Sequence, residues 1–210
     1  WSQKRDKKQE KLGRVEKWLD GKYIDSSRIV DLMEALIEPG AKVVLEGDNQ
    51  KQASFLSQKL LEVDPGKVHY LHMIMSSMSR PEHLDIFEKG IAGKLDFSYS
   101  GSQSLRVAQM IDDGTLQLGD IHTYLELFGR LFIDLIPDVV LVAADKSDRE
   151  GNLYTGNNTE ETPTIVEAAA FKDGIVIVQV NEIVDELPRV DIPASWVDVI
   201  VRADKPYALE

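Results

Sequence analysis

Val139-Val140-Leu141-Val142-Ala143, then the polar run Gly151-Asn152-Leu153-Tyr154-Thr155-Gly156-Asn157-Asn158-Thr159, then Ile175-Val176-Ile177-Val178 together decide the fold. Short apolar runs rich in β-branched side chains and bounded by turn formers are strands buried on both faces of a sheet. Between them, Ile165-Val166-Glu167-Ala168-Ala169-Ala170-Phe171 reads as a helix of small residues. A long Gly/Asn/Thr connection leaving a buried strand is costly in chain entropy, and α/β proteins place their chemistry on such loops.

Outward from this stretch, strands and helices alternate. Asp25-Ser26 offers N-cap side chains to a helix with apolar positions Ile29, Val30, Leu32, Met33, Leu36 and Ile37, which Pro39-Gly40 ends. Lys42 to Glu46 reads as the first core strand, followed by Gly47-Asp48-Asn49-Gln50 and a helix through Phe55, Leu56, Leu60 and Leu61. Further strands are expected at Val68–Met75, Leu95–Tyr99, Leu116–Ile121 and Val197–Val201, with helices after Pro81, after Ser100-Gly101-Ser102 and through Leu125 to Phe132. The expected fold is α/β: one open, mainly parallel sheet covered by helices on both faces, a single domain over 1–210. In such sheets ligands gather at the carboxyl ends of the strands.

Composition narrows the function. The chain has 210 residues, 43% hydrophobic and 29% charged, with no cysteine, which excludes disulfides and thiolate chemistry. No apolar stretch is long enough to cross a bilayer and none resembles a signal peptide, so the expected compartment is the cytoplasm. The net charge of −12 is uneven: residues 1–22 hold eight Lys/Arg against four Asp/Glu, leaving −16 on the remainder. An acidic body excludes a nucleic-acid partner. Residues 1–22 are expected to form a basic amphipathic helix lying on the domain. Its lysines Lys4, Lys7, Lys8 and Lys11 are an alternative contact for an acidic carrier protein.

Three segments could carry chemistry. Gly47 lets the backbone approach a ligand, and Asp48, Asn49 and Gln50 open toward a helix start whose free N–H groups suit a carboxylate, a phosphate or a developing oxyanion. The same loop could instead be a simple helix cap. Gly151, Asn152, Asn157 and Asn158 supply neutral donors and acceptors suited to a pantetheine-like arm. His122, at a strand end, is a minor candidate for proton exchange. His69, His72 and His83 show no ligand spacing, so no metal is expected, and no Gly-x-Ser-x-Gly elbow supports a serine hydrolase.

The segments GNLYTGNNTEETPTIVEAAAF, GIVIVQVNEIV and PASWVDVIV resemble the late part of a coenzyme A-transferase domain. EGDNQKQASFL, LHMIMSSMSRPEHLDIFEKGIAGKLDFSYSG and IHTYLELFGRLFIDL are similar to the malonate decarboxylase alpha-subunit family. That resemblance implies the first half of a two-domain acyl-carrier-protein transferase. Its reaction would exchange acetyl for malonyl on the thiol of a dephospho-coenzyme A-derived arm of a carrier protein. The implied partners are that carrier, the decarboxylase subunits and a small dicarboxylate, with no cofactor bound by this chain. It further implies an acyl anhydride route whose glutamate nucleophile, where one is used, lies in the other half. By this resemblance Gly47 and Asn49 contribute to an oxyanion-type pocket, while Asp48, Gln50, Gly151, Asn152, Asn157 and Asn158 line the thioester site. A sugar-phosphate isomerase or regulator and a non-catalytic assembly module remain open alternatives.

Overall fold

The computed structural model describes residues 2–47, 51–157 and 161–204. In chain order, α1 (Ser2–Val15) leads through a 3-10 turn into a short hairpin, β1 (Leu19–Asp20) and β2 (Tyr23–Ile24). Then come α2 (Ile29–Leu36), β3 (Lys42–Leu45), α3 (Ser54–Leu60), β4 (Leu71–Ser77), α4 (Glu82–Glu88) and β5 (Ala92–Tyr99). They are followed by α5 (Ser104–Asp112), β6 (Gln117–Ile121), α6 (Tyr124–Ile133), β7 (Val139–Ser147) and β8 (Leu153–Tyr154), then α7 (Thr162–Phe171), β9 (Ile175–Ile183) and β10 (Val199–Arg202). Nine of these strands form one sheet in the order β1-β2-β10-β9-β7-β3-β4-β5-β6, and β8 pairs off β7. All pairings are parallel except β1 with β2 and β7 with β8.

Alternation along the central strands builds two cores. Val43, Leu45, Val139, Leu141, Ala143, Ile175 and Ile177 face the helices α2 to α5. Val44, Val140, Val142, Ala144, Val176, Val178 and Val180 face α6 and α7. This is the pattern that continuous apolar runs require, since every side chain on such a strand meets a core. No described helix is long and apolar enough to cross a membrane.

Several elements differ from the sequence expectation: the strands read at Val139–Ala143 and Ile175–Val178 run on to Ser147 and Ile183. The helix expected over 1–22 ends at Val15, and Gly21, at φ +61°, turns the following residues into the β1–β2 hairpin. The strand expected from Val68 begins at Leu71, because the amides of Lys67 and Val68 donate to the Asp64 carbonyl in a turn. β8 was not expected at all. Two residues without apolar alternation give no strand signal; β8 exists because it can pair with Lys146 and Ser147.

The lysines of α1 make contacts with the body of the domain. Lys8 Nζ lies 2.7 Å from Asp198 Oδ2 and donates to the Gly174 carbonyl at 2.7 Å. Buried Lys11 donates to the Leu36 carbonyl, Lys7 pairs with Glu38 at 2.7 Å, and Lys4 with Asp138 at 3.6 Å. These links fasten α1 across the amino ends of β3, β7 and β9, where a groove of about 430 Å³ is lined by the same lysines and their acidic partners. Lys8 and Asp198 are each about one-eighth exposed, so solvent screens them little, whereas Arg5, paired with Asp173, is 69% exposed. Replacing Lys8 with Met should therefore destabilise the fold by about 2 kcal/mol in urea unfolding, and replacing Arg5 with Met by under about 0.5 kcal/mol. Equal effects would show that the latch carries no special weight.

Candidate functional site

At the carboxyl end of β3 the chain presents Glu46 and Gly47. Gly47 pairs with Gln52 in an isolated antiparallel bridge, and Ser79 Oγ donates to its carbonyl at 2.9 Å. A Cβ at Gly47 would stand 2.2 Å from the Ser77 carbonyl and 3.1 Å from the His83 ring, so only glycine lets β3 pass this close to the end of β4. The helix does not follow the glycine loop directly. Lys51, Gln52 and Ala53 intervene before α3, and the Leu56 amide in its first turn is already capped by Gln179 Oε1 at 3.1 Å. The expected array of free helix amides behind Gly47 is therefore partly satisfied from within. Asp48, Asn49 and Gln50 lie outside the described residues.

At these strand ends several buried polar atoms lack hydrogen-bond partners among the described residues: by alternation Ser76 and Ser98 Oγ lie on the α6–α7 face, while Ser77 Oγ, both ring nitrogens of His83 on α4 and Gln179 Nε2 on β9 lie on the opposite face. An orphaned buried donor costs about 1–3 kcal/mol, so a group of them at strand ends marks a place where a polar ligand is expected. None was singled out from the sequence, because serines in an apolar strand and a histidine in an apolar helix look like filler.

Glu46 is the charged centre of the same edge. It is fully buried beside Lys51 and Thr162, both also buried. Its Oε2 accepts the Ala143 amide at 2.6 Å, its Oε1 lies 3.3 Å from Lys51 Nζ, and the Thr162 hydroxyl donates to Oε1 while accepting from Lys51. Within this triad the Glu46 carboxylate is matched by the Lys51 ammonium.

The second loop is not brought to this edge as expected. Gly151, at φ +92°, packs on the Lys22 side chain and Ile200, whose core is the one under α6 and α7, while Gly47 faces α4 on the other side of the sheet. Asn152 is tied into the local fold: Nδ2 donates to Asp148 Oδ2 at 2.8 Å and Oδ1 accepts the Ala194 amide at 2.9 Å. An amide bonded once at each end still has a second N–H and a second lone pair. The segment then returns toward α7. Thr155 is held by Asp191, Arg189 donates to the Gly156 carbonyl at 3.2 Å, and Asn157 is exposed. Asn158 lies outside the described residues.

His122 belongs to a separate cluster. Its Nε2 is 2.7 Å from Asp96 Oδ1, and His72 Nε2 is 2.6 Å from Asp96 Oδ2. Burial works to raise the Asp96 carboxyl, but hydrogen bonds from His122 and His72 outweigh it and hold the group below its usual range. Burial pushes His72 down despite that carboxylate. The arrangement sets one aspartate of β5 between the imidazoles of His72 on β4 and His122 at the end of β6. A Cβ at Gly119 would meet Asp96 Oδ2 at 1.9 Å, so glycine there admits the arrangement. His72 was not expected to have a carboxylate partner, since 24 residues separate the two. No metal-binding cluster is found among the described residues.

His83 supplies a pH test. Burial, with repulsion from Arg80 added, lowers its imidazole to about 4 from 6.5. A base with a depressed folded pKa gives stability that is complete above its unfolded pKa and is lost as pH falls toward the folded one. Between pH 6.5 and 5 this amounts to about 2 kcal/mol. His83→Leu should flatten the decline in urea stability over that interval by about this amount; an unchanged slope would contradict the burial.

The malonate decarboxylase alpha-subunit profile, described as "Malonate decarboxylase, alpha subunit, transporter", matches residues 1–210. An acetyl-S-ACP:malonate ACP transferase of Malonomonas rubra is 53% identical over 191 residues, 91% of this chain and 34% of that protein. The structure superposes with TM-score 0.97 on a malonate decarboxylase alpha subunit from Acinetobacter baumannii (58% identical) and, with the same score, on a Pseudomonas malonate decarboxylase hetero-tetramer solved with malonate (62% identical). Each match covers 100% of this chain and 39% of the other. Glutaconate coenzyme A-transferase from Acidaminococcus fermentans, at 12% identity and TM-score 0.69 over 89% of this chain and 76% of its own, shares the fold. This chain therefore spans between a third and two-fifths of the length of its near relatives. It belongs to the malonate decarboxylase alpha-subunit family.

Proposed function

We propose that the carboxyl edge of β3, β4 and β5 is part of an acyl-exchange site, at which acetyl is replaced by malonyl on the thiol of an acyl carrier protein. The observation that carries this reading is the group of orphaned, uncharged buried donors: Ser76, Ser77 and Ser98 Oγ, Gln179 Nε2 and the neutral His83 imidazole. A small dicarboxylate or a thioester oxygen is rich in acceptors and supplies what these atoms lack. The Glu46 carboxylate at this edge is matched by Lys51. The relative's activity and the tetramer solved with malonate support the substrate class.

In this reading the carrier's arm, a dephospho-coenzyme A derivative, supplies only the thiol that bears the acyl group. This chain's residues bind and orient. Gly47 keeps the rim open, the serine hydroxyls and Gln179 hold the dicarboxylate, and the exposed Asn157 meets the arm. The carrier protein and decarboxylase subunits are the partners, the cytoplasm is the compartment, and the chain acts as one domain of a longer subunit that supplies the rest of the site.

Each orphaned serine should add about 1.5 kcal/mol to carboxylate binding. Ser76→Ala and Ser98→Ala should each weaken malonate binding about tenfold by calorimetry, with stability unchanged or slightly raised because an unsatisfied hydroxyl is removed. A sugar phosphate that bound here while malonate did not would sink the transferase reading.

A further inference from the structure

We propose that Glu46 is a positioning residue: its buried carboxylate locks the segments that flank the site into one arrangement. The proposal rests on the transferase reading only for its kinetic consequence.

The regular ladder between β3 and β7 ends with Leu45 opposite Leu141, and the Glu46 amide still reaches the Leu141 carbonyl at 3.0 Å. Beyond that point β7 continues but β3 turns away, because the Glu46 carbonyl accepts from Ala53 instead, at 3.1 Å. The Ala143 amide on β7 would then be buried without an acceptor. The Glu46 side chain fills the place of the departed backbone, Oε2 receiving Ala143 N–H at 2.6 Å. Its other oxygen gathers two groups remote in sequence: Lys51, on the path into α3, and Thr162, the first residue of α7. The Thr162 hydroxyl closes the triangle by accepting from Lys51 and donating to Glu46. One carboxylate thus ties the end of β3, the interior of β7, the approach to α3 and the start of α7.

Stability is a poor explanation for such a group. A buried ion pair recovers little more than its desolvation cost, and apolar residues of equal volume often serve as well. What it supplies is direction. Each of the three partners must present one particular atom to one of two oxygens, so the elements can meet in only one register. Donors held in this way act on the transition state without reorganising, and loosening them lowers turnover more than affinity.

The test uses Thr162→Val, which removes only the hydroxyl link, with Glu46→Gln as the second variant and Thr162→Ser as the conservative rescue. Hydrogen exchange on the protein should quicken about tenfold in peptides spanning residues 51–57 and 161–167 for both disruptive variants. Exchange in α5 should stay as in the parent, and the serine variant should behave as the parent throughout. In the assembled transferase, kcat should fall about tenfold with KM changed less than about threefold. Unchanged exchange at both segments would overturn the proposal whatever the activity. A parent enzyme without acyl exchange would overturn the transferase reading, leaving the exchange measurement to judge the clamp.

Discussion

Strands buried on both faces impose one constraint from which the rest follows: along β3, β7 and β9 almost every side chain must be apolar, so polar chemistry is admitted only where the strands end. Most polar exceptions in the central sheet obey it, whereas Asp96, in the middle of β5, is accommodated by two histidine partners. Glu46 comes one residue after β3, Ser76 and Ser77 close β4, Ser98 is next to last in β5, and Gln179 lies where β9 passes beyond the end of β3. Parallel connection then sends all these ends to one side of the molecule. The site is located by topology before any particular residue is considered.

The three buried polar systems solve the problem of burial differently. Glu46, Lys51 and Thr162 satisfy each other. Asp96 is held between two imidazoles. The serines, His83 and Gln179 Nε2 are left unsatisfied within the described residues. A fold that closes two networks so completely and leaves one group of donors open makes the open group the place to look for a ligand.

Much of the fold was legible in the sequence because it is written in local patterns: the runs at Val139 and Ile175, the Pro39-Gly40 stop, and the Asp25 side chain capping the turn into α2. The α/β class and parallel sheet follow from alternation alone. The site was less legible. Gly47 was singled out because a glycine after a strand has few other uses, and β3 does approach β4 closely there; Gly151 and Asn152 showed the same signal, and their contacts are with Lys22, Ile200, Asp148 and Ala194. An Asx-type side chain in a loop hydrogen-bonds its own neighbourhood as readily as a ligand, and only the positions of Asp148 and Ala194 decide which. Glu46 and Thr162 went unnoticed because their meaning lies in partners up to 116 residues away.

β6 ends the sheet with all five of its residues open to solvent, among them Leu118 and Ile121. An uncovered margin of this kind invites another chain to add itself as a further strand. Two features work against it. Asp120 sets a charge in the middle of the free margin, and β6 slips register where it pairs with β5 near Asp96, which breaks the straight run a newcomer would need. The histidine-bridged aspartate thereby has an effect well beyond its own pocket: by demanding glycine at position 119 and bending the outermost strand, it helps keep one molecule from becoming the template for the next.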